Sequence, residues 1–304
     1  MVAMTVAGPV EVSELGRVLP HEHLFANTLR EYRSSGLTDD ETVALNALVR
    51  YRETGGTTLV DVTPEELGRR PEALRRLSEA SGVHIVMGCG HYRDPYLDRA
   101  FFDTHRAADI ADRMIQEIEE GIDGTGVRPG IIGEIGADQP VVSAIEERSL
   151  RAAGIAHRET GLAITLHAAR STVGRDMLRI LDEERVPRDR VILGHLDTVR
   201  DRGYFLEMAA SGVMLEFDGF ITTNEYETSR DIANLLALLE AGYRDQLFIS
   251  HDAFLSSHFA EFGGPGLSRI NEVILPRLRS EGVTEDDLIA ITETNPGRLL
   301  AVVR

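Results

Sequence analysis

Lysine is missing from this chain: all 32 basic residues are arginine. Chemistry that needs a lysine Schiff base, a lysine general base or a carboxylated lysine is therefore excluded. Cysteine is nearly missing too. Cys89 stands alone, so no disulfide framework can form, and the chain suits a reducing compartment. No apolar run approaches the roughly 20 residues of a membrane span. The short opening "MVAMTVAGPV" has no basic lead and contains a Gly-Pro, unlike a secretory signal. These absences lead to the expectation of a cytoplasmic protein. Positive charge is also in deficit. A formal net charge of −18 repels phosphate backbones and anionic headgroups, so neither nucleic acid nor a membrane is expected as a partner.

What is present is a long chain of mixed pattern. Its 304 residues, 42% of them hydrophobic, can bury a large core and suit one α/β barrel of roughly 250 residues plus trimmings. No linker or low-complexity tract interrupts it, so residues 1–304 read as one domain. Eight short β-like runs, at 17–25, 57–63, 84–90, 130–136, 163–168, 191–197, 213–219 and 247–253, alternate with longer helical patterns. Amphipathic stretches such as 106–122 and 143–161 carry apolar residues at helical spacing. Apolar strands with intervening helices need cover on both faces, which predicts an α/β fold, a closed (β/α)8 TIM barrel. A doubly wound open sheet is the alternative. It usually carries a Gly-rich phosphate turn after its first strand, where this chain has "HEH".

In such barrels the chemistry sits at the carboxyl ends of the strands. Those ends supply His21 and His23, Glu134, His167, His195 and Asp252. All are nitrogen or oxygen donors suited to Zn²⁺ first, with Mn²⁺ or Fe²⁺ as alternatives. Strand side chains alternate faces, so His21 and His23 point the same way. Glu134 is the lone acid of the apolar run "GIIGEIG", and burying an unpaired carboxylate is costly unless an arginine, a proton or a cation compensates it. Two divalent ions roughly 3.5–4 Å apart could share its two oxygens. Asp252 would bind one ion and face the nucleophilic water. Each residue also has a plainer reading: a lone strand-end histidine is commonly structural, and Glu134 could pair with a buried arginine. The joint pattern, six ligand-type residues ending five of the eight expected strands, carries the metal reading.

The segments "GPVEVSELGRVLPHEHLF", "GCGHYRDPY", "EIEEGIDGTGVRPGIIGEIG", "LHAARSTVG", "ILGHLD", "ISHD" and "TNPGRLL" resemble the phosphotriesterase family of the amidohydrolase superfamily along nearly the whole chain. The resemblance implies a binuclear metal centre. In it His21, His23 and Asp252 would hold the more buried ion, His167 and His195 the more exposed one, and Glu134 would bridge them. The best-known members bridge through a carboxylated lysine at the position of Gly133. This chain is similar instead to the phosphotriesterase homology branch, where a glutamate bridges. Glu134 stands one residue later, and in an ideal strand a slip of one turns a side chain to the opposite face. A local bulge or altered register is therefore expected. Gly219 in "EFDGF" stands where related lactonases and triesterases often carry a basic residue.

The expected activity is metal-dependent hydrolysis of an ester-type bond, in a carboxylic ester, a lactone or a phosphoester. Hydroxide generated between the ions would attack and Asp252 would accept the proton. The rival reading is a metal-containing barrel that binds a ligand without turning it over. Tyr92 is a candidate to orient the substrate or line the pocket. Arg170 and His258 could reach a substrate, although surface placement is the plainer reading. Asp218 could support a ligand or cap a loop, and Asp197 could orient a ligand histidine. By alternation, Glu22 and His251 should point away from the site. Specificity is expected from the loops 221–230 and 254–268, where Phe254, Phe259 and Phe262 could form an apolar wall. The partner expected is a small ester-type substrate; the resemblance also allows a second copy in a homodimer, with a monomeric barrel as the alternative.

Overall fold

The computed structural model describes residues 1–137 and 139–302. Its centre is a parallel eight-stranded sheet in which each strand lies beside its chain neighbour. The strands are β1 (Val18–Glu22), β2 (Thr58–Asp61), β3 (His84–Cys89), β4 (Ile131–Gly136), β5 (Ile164–His167), β6 (Val191–Leu193), β7 (Met214–Phe217) and β8 (Leu247–Ile249). All eight expected strands are present, and the sheet curls into a (β/α)8 barrel with helices around it. The ladder runs from β8 back to β1, and polar side chains close the remaining seam. His21 N–H donates to Ser250 Oγ at 3.0 Å, and Asp252 N–H to the His21 carbonyl at 3.2 Å. The buried Glu22 carboxylate accepts from Ser250 Oγ and from the N–H groups of His251 and Ala253 at 2.8–3.0 Å.

Helices Ala107–Glu120 and Ala144–Thr160 occupy the two amphipathic stretches. The second starts at a capping box, where Ser143 and Glu146 each satisfy the other's backbone N–H, and stops at Gly161 in the left-handed region. Leu59, Ile85, Ile132, Ile164 and Leu215 pack outward against such helices, while Val60, Val86, Ile131, Ile192 and Phe248 fill the barrel interior. Both faces of the sheet are therefore dry, which is why the strand runs read as nearly continuous apolar sequence. Among the described residues no helix is long and apolar enough to cross a membrane.

Two features depart from the pattern read off the chain, and a third follows it. The opening segment forms an antiparallel hairpin, Val2–Thr5 with Gly8–Glu11, beneath the amino ends of the strands, where Val6 N–H donates to the Ile85 carbonyl at 2.8 Å. The last strands are shorter than expected: β6 ends at Leu193 and β8 at Ile249, so His195 and Asp252 lie on the turns that follow. Both adopt left-handed backbones, φ 60° and 53°. Strand alternation therefore does not set their direction; the turn does. Finally, β4 carries the expected irregularity. Ile132 pairs with Ile164 and Ile135 with Leu166, so three steps on β4 face two on β5. Gly133, φ 125°, and the cis Gly133–Glu134 peptide lie within that bulge.

Candidate metal centre

The bulge brings Glu134 to the barrel mouth, 2% exposed. Its Oε2 lies 3.0 Å from His167 Nδ1, 3.2 Å from His195 Nε2 and 3.6 Å from His21 Nε2. Its Oε1 lies 3.5 Å from His23 Nε2. Asp252 comes in from the opposite side, with Oδ1 at 3.3 Å from His23 Nε2 and 3.8 Å from His21 Nε2. All six ligand-type residues named from the sequence are thus brought together. Groups able to hold a metal ion include His21, His23 and Asp252 on one side and Glu134, His167 and His195 on the other; a third set joins His21, His195 and Asp218.

The donor chemistry fits cations. His21 Nδ1–H donates to Glu216 Oε2 at 3.1 Å, His23 Nδ1–H to Thr63 Oγ1 at 2.9 Å, and His195 Nδ1–H to Asp218 Oδ1 at 2.9 Å. With Nδ1 committed as donor, each ring presents its Nε2 lone pair to the mouth, the arrangement in which a neighbour fixes the tautomer of a ligand histidine. His21 Nε2 is buried and has no hydrogen-bond partner. His167 turns its Nδ1 inward, 2.7 Å from His195 Nε2. A cation at the focus of these nitrogens would satisfy an orphan that the protein leaves open.

The carboxylates dominate the local field. Burial alone would lower His21, but Glu216, Glu134 and Asp218 outweigh it and push its pKa up to about 10, so the field calls for positive charge at Nε2, from a proton or from the metal ion that would displace it. Burial likewise opposes ionisation of Glu134, yet His167, His195 and His21 hold it well below the usual carboxylate range. Burial, only partly offset by His21, raises Glu216 to about 7. Tyr92 is pushed well above its ordinary value by burial and then by Glu134, so its phenol stays protonated.

Around the donors, several supports were not assigned from the sequence. Glu216 and Thr63 hold two histidines, and Asp61 Oδ2 accepts the Leu24 N–H at 2.8 Å, tying down the turn that follows His23. A signal was available. Asp61 and Thr63, and likewise Glu216 and Asp218, are polar residues two apart in an apolar strand, the spacing of one sheet face. Asp218 is a ligand support, clamping both the ring and the backbone N–H of His195. Asp197 does not touch that ring; its Oδ1 accepts the Asp218 N–H at 3.3 Å. It also fills the space beside Gly219, where an added Cβ would lie 2.4 Å from Asp197 Oδ2. No basic side chain has room there. His251 donates through Nδ1 to Glu22 and accepts the Ile270 N–H at Nε2, away from the mouth as expected.

A cavity of about 200 Å³ opens above the donors. Tyr92 lines it, with its hydroxyl 3.3 Å from His167 Nδ1. Tyr32, Tyr96, Arg93, Arg170 and Phe254 complete much of the wall. The expected specificity loops contribute less. Residues 221–230 stay out of this cavity because the helix Glu225–Glu240, capped by Asn224, begins almost at once and turns the loop away. Phe259 is buried beneath its loop and Phe262 is mostly exposed, which leaves Phe254 as the one of those three phenylalanines on the wall.

A closed parallel barrel with clustered histidine and carboxylate donors at its carboxyl rim has the layout of a barrel hydrolase. The sequence pattern of the Phosphotriesterase family matches residues 1–300, and this chain belongs to that family. It is accordingly a hydrolase. An N-acetyltaurine hydrolase of Dictyostelium discoideum is 32% identical over 274 residues, 86% of this chain and 74% of that protein. The phosphotriesterase homology protein of Escherichia coli, solved with phosphate in its active site, superposes with a TM-score of 0.91 at 28% identity, covering 95% of this chain and 99% of that one. A resiniferatoxin-binding protein of Rhodobacter sphaeroides superposes with a TM-score of 0.91 at 30% identity, covering 98% and 94%.

Proposed function

We propose that this chain is a binuclear metal-dependent hydrolase that cleaves an ester-type bond in a small molecule: a carboxylic ester, a lactone or a phosphoester. The observation that carries this reading is the position of Glu134, whose oxygens lie 3.0–3.6 Å from nitrogens of all four histidines. His21, His23 and Asp252 would hold one ion and His167 and His195 the other, with Glu134 shared. Zinc suits this donor set best, with Mn²⁺ or Fe²⁺ next. Such ions polarise the reacting carbonyl or phosphoryl oxygen and bring the pKa of water down to roughly 7.

The chain's own groups supply the rest. Asp252 is the proton acceptor: its side chain is 21% exposed, lines the cavity and stands among the donors. As the oxygen of water bonds to the acyl carbon or phosphorus, its proton passes to Asp252 and then to the leaving oxygen as that bond breaks. The Tyr92 hydroxyl, protonated and beside His167, positions the substrate oxygen. Glu216, Asp218 and Thr63 keep the imidazoles oriented. The same attack opens a small carboxamide, a bond class supported by the relative named for N-acetyltaurine.

The relative named for resiniferatoxin binding supports a second reading, a barrel that retains a ligand without cleaving it. Metal analysis of the purified protein, followed by a panel of aryl esters, lactones, phosphotriesters and N-acetyl amides, separates the two. Two ions per chain with turnover of one class is expected. Stoichiometric metal without turnover of any class would favour the binding reading, and a metal-free protein after growth with zinc would sink both.

A further inference from the structure

Two arginines reach the cavity, and they differ in their partners. The Arg93 guanidinium contacts both oxygens of Glu31 at 2.5 and 2.6 Å and sits over the rings of Tyr92 and Tyr96 at 5.1 and 5.2 Å. Its charge is neutralised in place. The Arg170 guanidinium has no carboxylate partner among the described residues; its one hydrogen bond goes to the Tyr32 hydroxyl at 3.4 Å. Other arginines, Arg52 and Arg269 among them, also lack an acid partner, but of these it is Arg170 that lines the cavity above the donors.

Its backbone is held in place even though its head is free. Arg170 occupies the left-handed region, φ 64°, a conformation glycine adopts more cheaply. Its N–H donates to Thr198 Oγ1 at 2.7 Å, and that hydroxyl donates to the His195 carbonyl at 2.7 Å. The turn bearing Arg170 is thereby tied to the turn bearing a ligand histidine. A second polar group on the same wall is open as well: the Tyr96 hydroxyl is buried and has no hydrogen-bond partner.

We propose that Arg170, with the Tyr32 hydroxyl beside it and the Tyr96 hydroxyl on the same cavity wall, receives an oxyanion carried on the substrate away from the bond that is cleaved. This deepens, and rests on, the hydrolase reading. The substrate class is then a small acyl compound with a sulfonate or carboxylate tail. The planar guanidinium fork matches the oxygens of either group. The cavity, about 200 Å³, is smaller than the roughly 300–1,000 Å³ typical of sites for drug-sized ligands, which sets the size of the compound. A net charge of −18 disfavours anions elsewhere on this protein, so their capture needs a local cation of this kind.

Calorimetric titration of the metal-loaded protein with ethanesulfonate and, separately, with propionate tests the assignment and tells the two tails apart. The wild type is expected to bind at least one of them. Arg170→Gln weakens that binding by roughly tenfold or more, the worth of one charge-assisted hydrogen bond, and Arg170→Lys recovers part of it. Tyr32→Phe gives a smaller loss in the same direction. Equal binding by wild type and Arg170→Gln, as for an anion held at the metals alone, would overturn the proposal, as would no binding of either anion by the wild type. In turnover, Arg170→Gln lowers kcat/KM for 2-sulfoethyl acetate or 3-acetoxypropanoate relative to ethyl acetate, chiefly through KM; equal losses on charged and neutral esters would also overturn it. Intact anion discrimination without turnover of any substrate would refute the hydrolase reading while leaving the Arg170 assignment standing.

Discussion

At the scale of single residues, Glu134 and Glu216 have opposite tasks. Glu134 faces the space where the four histidines converge, and Glu216 faces the rear of His21. Glu134→Gln preserves shape and removes the charge that two ions would share. It is expected to reduce bound metal from two ions per chain toward one and to abolish most turnover, as metal analysis and kinetics on one preparation would show. An unchanged stoichiometry would count against a shared carboxylate. Glu216→Ala removes the acceptor from a fully buried Nδ1–H. The loss of such an outer contact typically lowers metal affinity by about 10–100-fold, and the orphaned donor costs about 1–3 kcal/mol of stability. A competition titration with a chromophoric chelator reads the first effect and urea unfolding the second. Glu134 stood out in the sequence because a lone acid in a greasy strand demands a reason. Glu216 obeys the same logic, but it ends no strand, and a search of strand ends passes over it.

At the scale of elements, the β4 bulge depends on its neighbour. Gly88 on β3 approaches so closely that a Cβ there would lie 2.1 Å from the Gly133 carbonyl oxygen. That oxygen is backbone and cannot swing aside. Gly88→Ala is therefore expected to destabilise the fold by about 1–3 kcal/mol, the usual cost of overpacking, and to weaken metal retention by displacing Glu134. A denaturant midpoint equal to that of the wild type would contradict this. All eight strands and two long helices were legible in the chain, because apolar runs and helical spacing are local properties. The hairpin Val2–Thr5 with Gly8–Glu11 was not: each of its strands has four residues, and it is held by contacts to distant β3 and to Val302. The ends of β6 and β8 were overrun for a related reason. Apolar sequence continues toward His195 and Asp252, but the ladder stops there, and left-handed turns aim both side chains.

For the whole molecule, the donor cluster couples metal to folding. His21, His195, Glu134, Glu216 and Asp218 are all nearly fully buried and come from β1, β4, β7 and the turns after β6 and β7. Ions bound only by the assembled barrel stabilise it by about 2.7 kcal/mol each when present at a hundred times their dissociation constant. Removing metal with a chelator is thus expected to lower the thermal midpoint by several degrees, and added Zn²⁺ to restore it. A midpoint indifferent to both treatments would argue against resident ions.

Taken alone, the amino-acid order determined the alternation of strands and helices, the absence of lysine chemistry and the six donor-type residues, since each of these is written in residue type and short-range spacing. Only the tertiary structure decided which carboxylates stand behind the histidines, that the strand-seven loop turns away from the cavity, and that Arg170 reaches it without an acid beside it. Those facts depend on distances between residues dozens to hundreds of positions apart, which the closing of the barrel sets and no local pattern encodes.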